Sequence, residues 1–164
     1  QKYEAGEIFL PQLIQSAETV KKAFEMIKDS MLSDSVGKPS VYRGKIVLAT
    51  VKGDIHDIGK NIVKILLENY GFDVYDLGKD VPIEDIVEKV RDENAALVGL
   101  SALMTTTVKS MEDTIKALRQ YCPDCRIMVG GAVLNESYAK MIDADYYAKD
   151  AGGAVKIARK FYKC

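Results

Sequence analysis

From residue 45 onward, short apolar runs alternate with longer segments that are apolar on one side only. The short runs predict buried strands, which lie at 45–51, 73–77, 96–102, 126–129 and 146–147. The amphipathic segments predict helices, which lie at 58–70, 82–94, 106–121, 135–142 and 154–162. This strict alternation with short connections predicts a parallel sheet that helices cover on both faces.

Five such strands in one α/β unit are typical of the flavodoxin-like (Rossmann-like), doubly wound fold with a five-stranded parallel sheet. Ligands of that fold bind beyond the carboxyl ends of the strands, at the point where the strand order reverses. We therefore expect function in the loops that follow Val51, Leu77, Ala102 and Val129.

A separate helical pattern precedes the sheet. Apolar residues recur at three- and four-residue steps over 6–32, and Ser, Gly and Pro then remove any period over 33–43. The prediction is a helical segment at 1–36, a linker at 37–44 and the sheet domain at 45–164. Because the chain starts without Met inside the helical pattern, we expect it to be part of a longer protein.

Composition narrows the classes of function. Lys and Arg together number 23 against 24 Asp and Glu, so the chain lacks the basic excess typical of nucleic-acid or anionic-membrane binding. No apolar run approaches the ~20 residues of a membrane span. The 3 cysteines argue against a disulfide framework and favour a reducing cytoplasm. The 1 histidine excludes a zinc site built on several histidines.

Two of the cysteines form a C-x-x-C motif, Cys122-Pro123-Asp124-Cys125. The motif lies between a predicted helix and the fourth strand, at the amino-terminal edge of the sheet, and the chain has no second C-x-x-C for zinc. We interpret it as a surface turn and leave any role of the two thiols open.

The single histidine, His56, lies in the loop after the first strand. Asp54 stands two residues earlier, and residues two apart in an extended loop point the same way, so the carboxylate can reach a ring nitrogen. A carboxylate that accepts one N–H fixes the imidazole tautomer and prepares the other nitrogen for a metal. Gly59 leaves room for a large ligand. From these residues alone, an ordinary loop histidine satisfied by Asp54 remains the alternative.

Three motifs at strand ends carry a resemblance. Asp54-x-His56-x-x-Gly59 follows the first strand, and Ser101-x-Leu103 and Gly130-Gly131 follow the third and fourth. Together with the strings VKGDIHDIGKNIV and GLSALMT, they resemble the cobalamin-binding domains of methionine synthase and of stand-alone corrinoid proteins over residues 45–163. The segment EIFLPQL at 7–13 is similar to the last part of the four-helix cap that precedes such domains. Since a four-helix bundle needs roughly 80 residues, the resemblance implies that 1–36 is the end of this cap and that further helices precede it.

The resemblance implies a cobalamin or related cobamide, as methylcobalamin in the loaded state, held base-off with His56 as the lower cobalt ligand. Asp54 matches the carboxylate of the ligand relay, and Thr107 stands where the family usually has serine. Further implied contacts to the cofactor are Gly53, Ile55, Asp57, Ile58, Gly59, Ser101, Leu103, Thr105, Gly130, Gly131 and Ala151, with Leu10 and, less directly, Tyr3 over the upper face.

The function implied by the resemblance is that of a corrinoid carrier protein without a complete active site of its own. It would shuttle a methyl group from a substrate-specific methyltransferase to a methylcobamide-dependent acceptor methyltransferase, for example one that uses tetrahydrofolate, and would need a reductive activator. The donor, whether a methylamine, methanol or an aryl methyl ether, stays open. The alternatives are the cobalamin module of methionine synthase and a cobalamin-dependent sensor; the cap segment disfavours an adenosylcobalamin mutase subunit.

Overall fold

The computed structural model describes Thr19, Lys22, Ala23, Met26 and residues 43–164. The chain divides into two compact units, Gln1–Lys38 and Pro39–Cys164. Within the first unit the four described residues are helical and exposed. The rest of the predicted cap, with Leu10 and Tyr3, and most of the predicted linker lie outside the described residues.

The second unit alternates strands and helices as the hydrophobic pattern predicts. Its strands are β1 (Lys45–Thr50), β2 (Asp73–Asp76), β3 (Leu97–Ser101), β4 (Arg126–Gly130) and β5 (Tyr146–Ala148). Its helices are α1 (Ile58–Asn69), α2 (Ile83–Asp92), α3 (Val108–Tyr121), α4 (Glu136–Met141) and α5 (Ala151–Phe161), with a 3-10 helix at Thr105–Thr107 before α3. Among the helices so described, none is long and apolar enough to cross a bilayer.

All described strand pairs are parallel, and the strand order is β2-β1-β3-β4-β5. The order reverses between β1 and β3, which makes the carboxyl ends of these two strands the switch point of the sheet. The predicted flavodoxin-like α/β fold is therefore confirmed for residues 43–164, and the loop that carries His56 leaves the sheet at its switch point.

The sheet packs apolar residues on both faces, because successive residues of a strand point to opposite sides. On one face, Val47 of β1 belongs to a core shared with α2, α3 and α4. On the other, Ile46 and Leu48 pack in a second core with Leu67 of α1 and Ala154 of α5. We call this second side the α1/α5 face.

One predicted boundary is wrong: α5 begins at Ala151, not at residue 154. The Asp150 carboxylate accepts a hydrogen bond of 2.7 Å from the main-chain N–H of Gly153, which starts the helix. Two poor helix formers, Gly152 and Gly153, hide this start in the sequence. The earlier start places Ala151 in the first turn of a helix on the α1/α5 face.

The interpretation of the C-x-x-C motif as a surface turn holds only for its two middle residues. Pro123 and Asp124 form an exposed turn, but both cysteine side chains are buried. The last turn of α3 directs Cys122 into the core, where its Sγ lies 3.9 Å from the carbonyl oxygen of Val87. Burial raises the pKa of both thiols, that of Cys125 to about 11, so both are held protonated at neutral pH.

Two glycines near the switch point differ in what surrounds them, and this difference is testable. A Cβ on Gly131 would lie 1.8 Å from the carbonyl oxygen of Ala102, and the φ of Gly131 is +137°. We expect Gly131→Ala to lower the free energy of unfolding by about 3 kcal/mol or more, since both clash and strain oppose the side chain.

Gly59→Ala serves as the matched control. The described neighbours leave more than 4 Å around a Cβ at this helical position, so we expect stability equal to or slightly above that of the wild type. Urea unfolding of the cofactor-free chain measures both changes. Equal effects of the two substitutions would contradict the packing role assigned to Gly131.

Candidate functional site

The site begins where the main chain leaves β1 and turns. Val51 forms a single parallel bridge with Val81, and the N–H of Asp54 donates to the carbonyl oxygen of Val51 at 3.0 Å. Gly53 has a φ of +86°, a left-handed conformation that favours glycine. This turn sends the side chain of Asp54 back under the loop, and His56 follows on the outer side.

The carboxylate of Asp54 joins the loop after β1 to the loop after β3. It is fully buried, with 0% of Asp54 exposed. Its Oδ1 accepts hydrogen bonds from the main-chain N–H of His56 at 3.0 Å and lies 2.8 Å from the ring Nδ1 of His56. Its Oδ2 accepts from the main-chain N–H groups of Leu103 and Met104, at 2.7 and 3.3 Å, and from the Thr107 hydroxyl at 2.8 Å.

These donors set the charge of Asp54. Burial alone favours the neutral acid, but the hydrogen bonds from the N–H groups of Leu103 and His56 and from the Thr107 hydroxyl outweigh it, so the pKa of Asp54 lies well below its usual range. Facing an ionised carboxylate, Nδ1 of His56 carries the ring proton. The lone pair of Nε2 is then free for a ligand.

His56 lies on a largely apolar, exposed surface. Its side chain is 45% exposed, and the neighbouring Ile55, Ile58 and Leu103 are 61%, 43% and 40% exposed. Large apolar side chains with this exposure, in the same loops as the imidazole, suit a broad apolar ligand that contains a metal. The open space beside Gly59 allows such a ligand to approach the first turn of α1.

The sequence has a single histidine, which is enough for a metal that takes only one ligand from the protein. In the part of the chain that the structure describes, no group of three or more His, Cys, Asp or Glu side chains could hold a metal ion. A metal whose remaining ligands come from a macrocycle needs only one ligand from the protein. His56 can supply that ligand.

Thr107 directs its hydroxyl to the site instead of to its own helix. It is the N-cap residue of α3 but makes no side-chain cap bond; its Oγ1 lies within hydrogen-bond distance of both Asp54 and the carbonyl oxygen of Met104, the latter at 2.9 Å. At α4 and α5, in contrast, Asn135 and Asp150 cap their own helices in the usual way. The single proton of Thr107 has two acceptors, and it serves one at a time.

The sequence analysis missed Asp80, which clamps the loop from the β2 side. Its Oδ1 accepts the main-chain N–H of Gly53 at 2.7 Å and lies 3.3 Å from Nζ of Lys52. Its own N–H donates to the main-chain carbonyl of Asp54 at 2.9 Å. Asp80 adopts a left-handed φ of +53°, which brings both bonds together. The signal was the turn between the second strand and Pro82, where Asp tolerates this conformation.

Two further polar residues near the strand ends were also missed. Lys60, in the first turn of α1, is buried and forms a 2.5 Å ion pair with Asp76 at the end of β2. Burial opposes the charge of Asp76, but the ion pair with Lys60 lowers its pKa. Thr50, the last residue of β1, is fully buried, and its hydroxyl has no hydrogen-bond partner among the residues that the structure describes. Each is a polar residue inside an apolar pattern, which is the signal that could have found it.

The other predicted site residues that the structure describes lie at the same edge of the sheet. Ser101 and Gly130 are paired across β3 and β4, and Thr105 is exposed in the 3-10 helix. Asp57 is the N-cap residue of α1. Packing alone requires glycine at position 131, because a Cβ there would clash with the carbonyl oxygen of Ala102.

Comparison with known proteins identifies relatives. The B12 binding domain family matches residues 44–156, and a second B12 binding domain family matches residues 1–28. Dimethylamine corrinoid protein 1 of Methanosarcina acetivorans is 42% identical over 160 residues, which cover 96% of this chain and 74% of that protein.

Solved structures agree. The monomethylamine corrinoid protein of Methanosarcina barkeri matches with a TM-score of 0.85 at 32% identity, over 98% of this chain and 75% of that one. A chain in the methanol:cobalamin methyltransferase complex of the same organism matches with a TM-score of 0.72 at 32% identity, over 99% of this chain and 61% of that one.

The buried charge of Asp54 predicts a specific pH dependence of stability. Because its pKa is lowered in the folded chain, its contribution is complete above the ordinary carboxyl pKa of about 4 and is lost as the pH falls further. We expect Asp54→Asn to cost about 2–4 kcal/mol at neutral pH, and the difference from the wild type to shrink in acid. Urea unfolding from about pH 7 to pH 3 measures this difference.

Asp113→Asn is the control, because Asp113 lies on the exposed side of α3 and pairs only with Lys109 among the described ion pairs. It should change stability by less than about 1 kcal/mol at any pH. A wild-type minus Asp54→Asn difference that stays constant down to about pH 3 would show that Asp54 is not held ionised.

Proposed function

The chain belongs to the B12-binding domain family, and on that premise we propose that it carries a methyl group between two methyltransferases on a cobamide held base-off by His56. Its cofactor is cobalamin or a related cobamide. The observation that carries the proposal is the pairing of a buried, ionised Asp54 with an exposed His56 on an apolar surface.

Bound cobalamin supplies a cobalt that accepts a methyl group from one protein and releases it to another. In the proposed arrangement Nε2 of His56 would supply the protein's ligand to cobalt, and the apolar side chains of Ile55, Ile58 and Leu103 would help to hold the cofactor. Thr107 and the N–H groups of Leu103 and Met104 keep Asp54 oriented, and Asp54 holds the imidazole in the tautomer that ligates.

The same residues can hold a proton when ligation changes. An imidazole that is released from a metal becomes a stronger proton acceptor, so loss of the ligand is linked to proton uptake. Nε2 of His56 or Oδ2 of Asp54 would take up that proton. If Oδ2 of Asp54 is protonated, the Thr107 hydroxyl can donate its proton to the carbonyl oxygen of Met104 and accept a hydrogen bond from Oδ2, because it lies within reach of both.

The partners follow from the relatives. Two of the matched proteins are named as dimethylamine and monomethylamine corrinoid proteins, and a third comes from a methanol:cobalamin methyltransferase complex. We therefore propose a methylated amine as the methyl donor, with a dedicated methyltransferase that transfers its methyl group to the cofactor. A second methyltransferase would pass the group to tetrahydrofolate or another acceptor, and a reductive activator would restore the reduced cofactor. These relatives favour a carrier over a methionine synthase module or a sensor.

His56 as the lower ligand predicts a defined spectroscopic result. His56 is the 1 histidine of the chain, so labelling with ¹⁵N-histidine places the isotope in a single ring. We expect the electron paramagnetic resonance lines of the loaded, one-electron-reduced protein to split into triplets with ordinary histidine and doublets with the label. Triplets with both samples would show that the cofactor's own base remains on cobalt.

His56→Ala should remove this splitting and weaken cobalamin binding at least about tenfold without abolishing it, because other contacts hold the cofactor. Ile55→Ala, a neighbour in the same loop, is the control; it reduces apolar contact but should leave the splitting unchanged. An unchanged spectrum in His56→Ala would overturn the assignment of His56.

The donor class is tested by methyl transfer. The loaded and reduced chain is mixed with the methyltransferase encoded beside its gene and with dimethylamine, monomethylamine or methanol, and methylation of the corrinoid is followed by absorbance. We expect at least about tenfold faster methylation with one of the amines than with methanol. Transfer from methanol alone would overturn the amine assignment while leaving the carrier function in place.

A further inference from the structure

Asp80 has an unusual main-chain conformation for its place in the fold. The non-glycine residues with a left-handed φ, in the part of the chain that the structure describes, are Asp80, Asn94, Asp143 and Lys163. The last three stand directly after the C-cap residues of α2, α4 and α5, where this conformation is common. Asp80 lies instead in the turn between β2 and α2, so its conformation calls for an explanation in the contacts that it makes.

The turn that contains Asp80 is bonded to the end of β1 on both sides of this residue. Before Asp80, the carbonyl oxygen of Gly78 accepts a hydrogen bond of 3.0 Å from the N–H of Thr50. After it, the N–H of Val81 donates to the carbonyl oxygen of Thr50 at 3.1 Å, next to the bridge between Val51 and Val81. Asp80 therefore has a fixed position relative to the sheet.

From this position Asp80 holds the main chain of the loop that carries His56. Its Oδ1 accepts the N–H of Gly53 at 2.7 Å, and its own N–H donates to the carbonyl oxygen of Asp54 at 2.9 Å. The N–H of Asp54 donates to Val51, so the peptide groups on both sides of Asp54 are hydrogen-bonded. Because peptide groups are planar, these bonds leave Asp54 little freedom in the direction of its side chain.

The carboxylate of Asp54 thus has two separate supports. The loop after β3 supplies donors to its oxygens, whereas the turn after β2 holds the main chain from which it extends. The 2.8 Å contact between Oδ1 of Asp54 and Nδ1 of His56 needs both supports, since a shift of about 1 Å breaks a hydrogen bond. Without this contact the imidazole can take either tautomer, and only one of them leaves Nε2 free for a metal.

We propose that Asp80 is a positioning residue for the metal ligand: it holds the loop main chain so that Asp54 keeps His56 protonated at Nδ1. The consequence for cobalt rests on the proposed function, because a free Nε2 raises the fraction of loaded protein in which His56 is the ligand. In this role Asp80 acts through Asp54 and not by contact with the cofactor.

The first measurement needs no cofactor. His56 is the single histidine of the chain, so ¹⁵N-histidine labelling and two-bond ¹H–¹⁵N correlation spectra report the tautomer of this ring alone. At about pH 8, where an ordinary imidazole is neutral, we expect the wild type to be protonated mainly at Nδ1. Asp80→Gly allows the left-handed φ but removes the acceptor, and it should raise the Nε2-protonated population at least about threefold.

Two variants are the matched controls. Asp80→Asn keeps an oxygen acceptor for Gly53 and tolerates the left-handed φ, so it should restore the tautomer population of the wild type. Lys52→Met removes only the exposed ion pair with Asp80, 3.3 Å long, and should leave that population unchanged. Because glycine fits the turn and the lost bond is exposed, the urea midpoint of Asp80→Gly should stay close to that of the wild type.

The second measurement uses the full chain loaded with cobalamin and reduced by one electron. The fraction of the paramagnetic signal that carries the nitrogen splitting from His56 should fall at least about twofold in Asp80→Gly. It should keep the wild-type value in Asp80→Asn.

Four results would overturn the inference while leaving the proposed function intact. They are an unchanged tautomer in Asp80→Gly, equal tautomer shifts in Asp80→Gly and Asp80→Asn, an unchanged splitting in Asp80→Gly, and a collapse of its urea midpoint, which would make Asp80 a support of the fold instead of the loop. A wild-type chain that binds no cobalamin, or that shows no splitting from His56, would overturn the proposed function itself.

Discussion

The site depends on one buried charge. The carboxylate of Asp54 is surrounded by donors from the loops after β1 and β3, and it stays ionised only while those loops are in place. These loops leave the sheet on either side of the switch point, so the strand order that creates the crevice also creates the donors. Orientation of His56, on the exposed side of the same carboxylate, is thus coupled to the packing of the whole sheet edge.

Locally unfavourable choices gather at this edge. Thr107 does not cap its own helix, Asp80 adopts a left-handed conformation, and Thr50 has a buried hydroxyl with no partner within the described part of the chain. At α4 and α5, the usual rules hold, and Asn135 and Asp150 cap their helices. Left-handed non-glycine residues also occur away from this edge, at Asn94, Asp143 and Lys163, so it is the combination of such features beside His56 that is typical of a binding site.

The fold could be predicted from the sequence because its signals are local. Apolar runs and amphipathic segments alternate, and the structure has the same elements in the same order. The errors have local causes too. Gly152 and Gly153 hid the start of α5, whose signal is the cap formed by Asp150. The C-x-x-C motif was interpreted as a surface turn, but the side chains of Cys122 and Cys125 are buried in the core.

By itself, the sequence determined the alternating α/β architecture and the pairing of Asp54 with His56, since two residues in one loop meet through local geometry. Thr107 entered only through a family resemblance, because it contacts Asp54 across 53 residues of sequence. The tertiary structure alone decided three contacts: the hydrogen bond from Gly53 to Asp80, the close approach of Ala102 that requires glycine at position 131, and the pairing of Thr50 with Ser101. These depend on which strands are neighbours and in what register, and no local pattern encodes that.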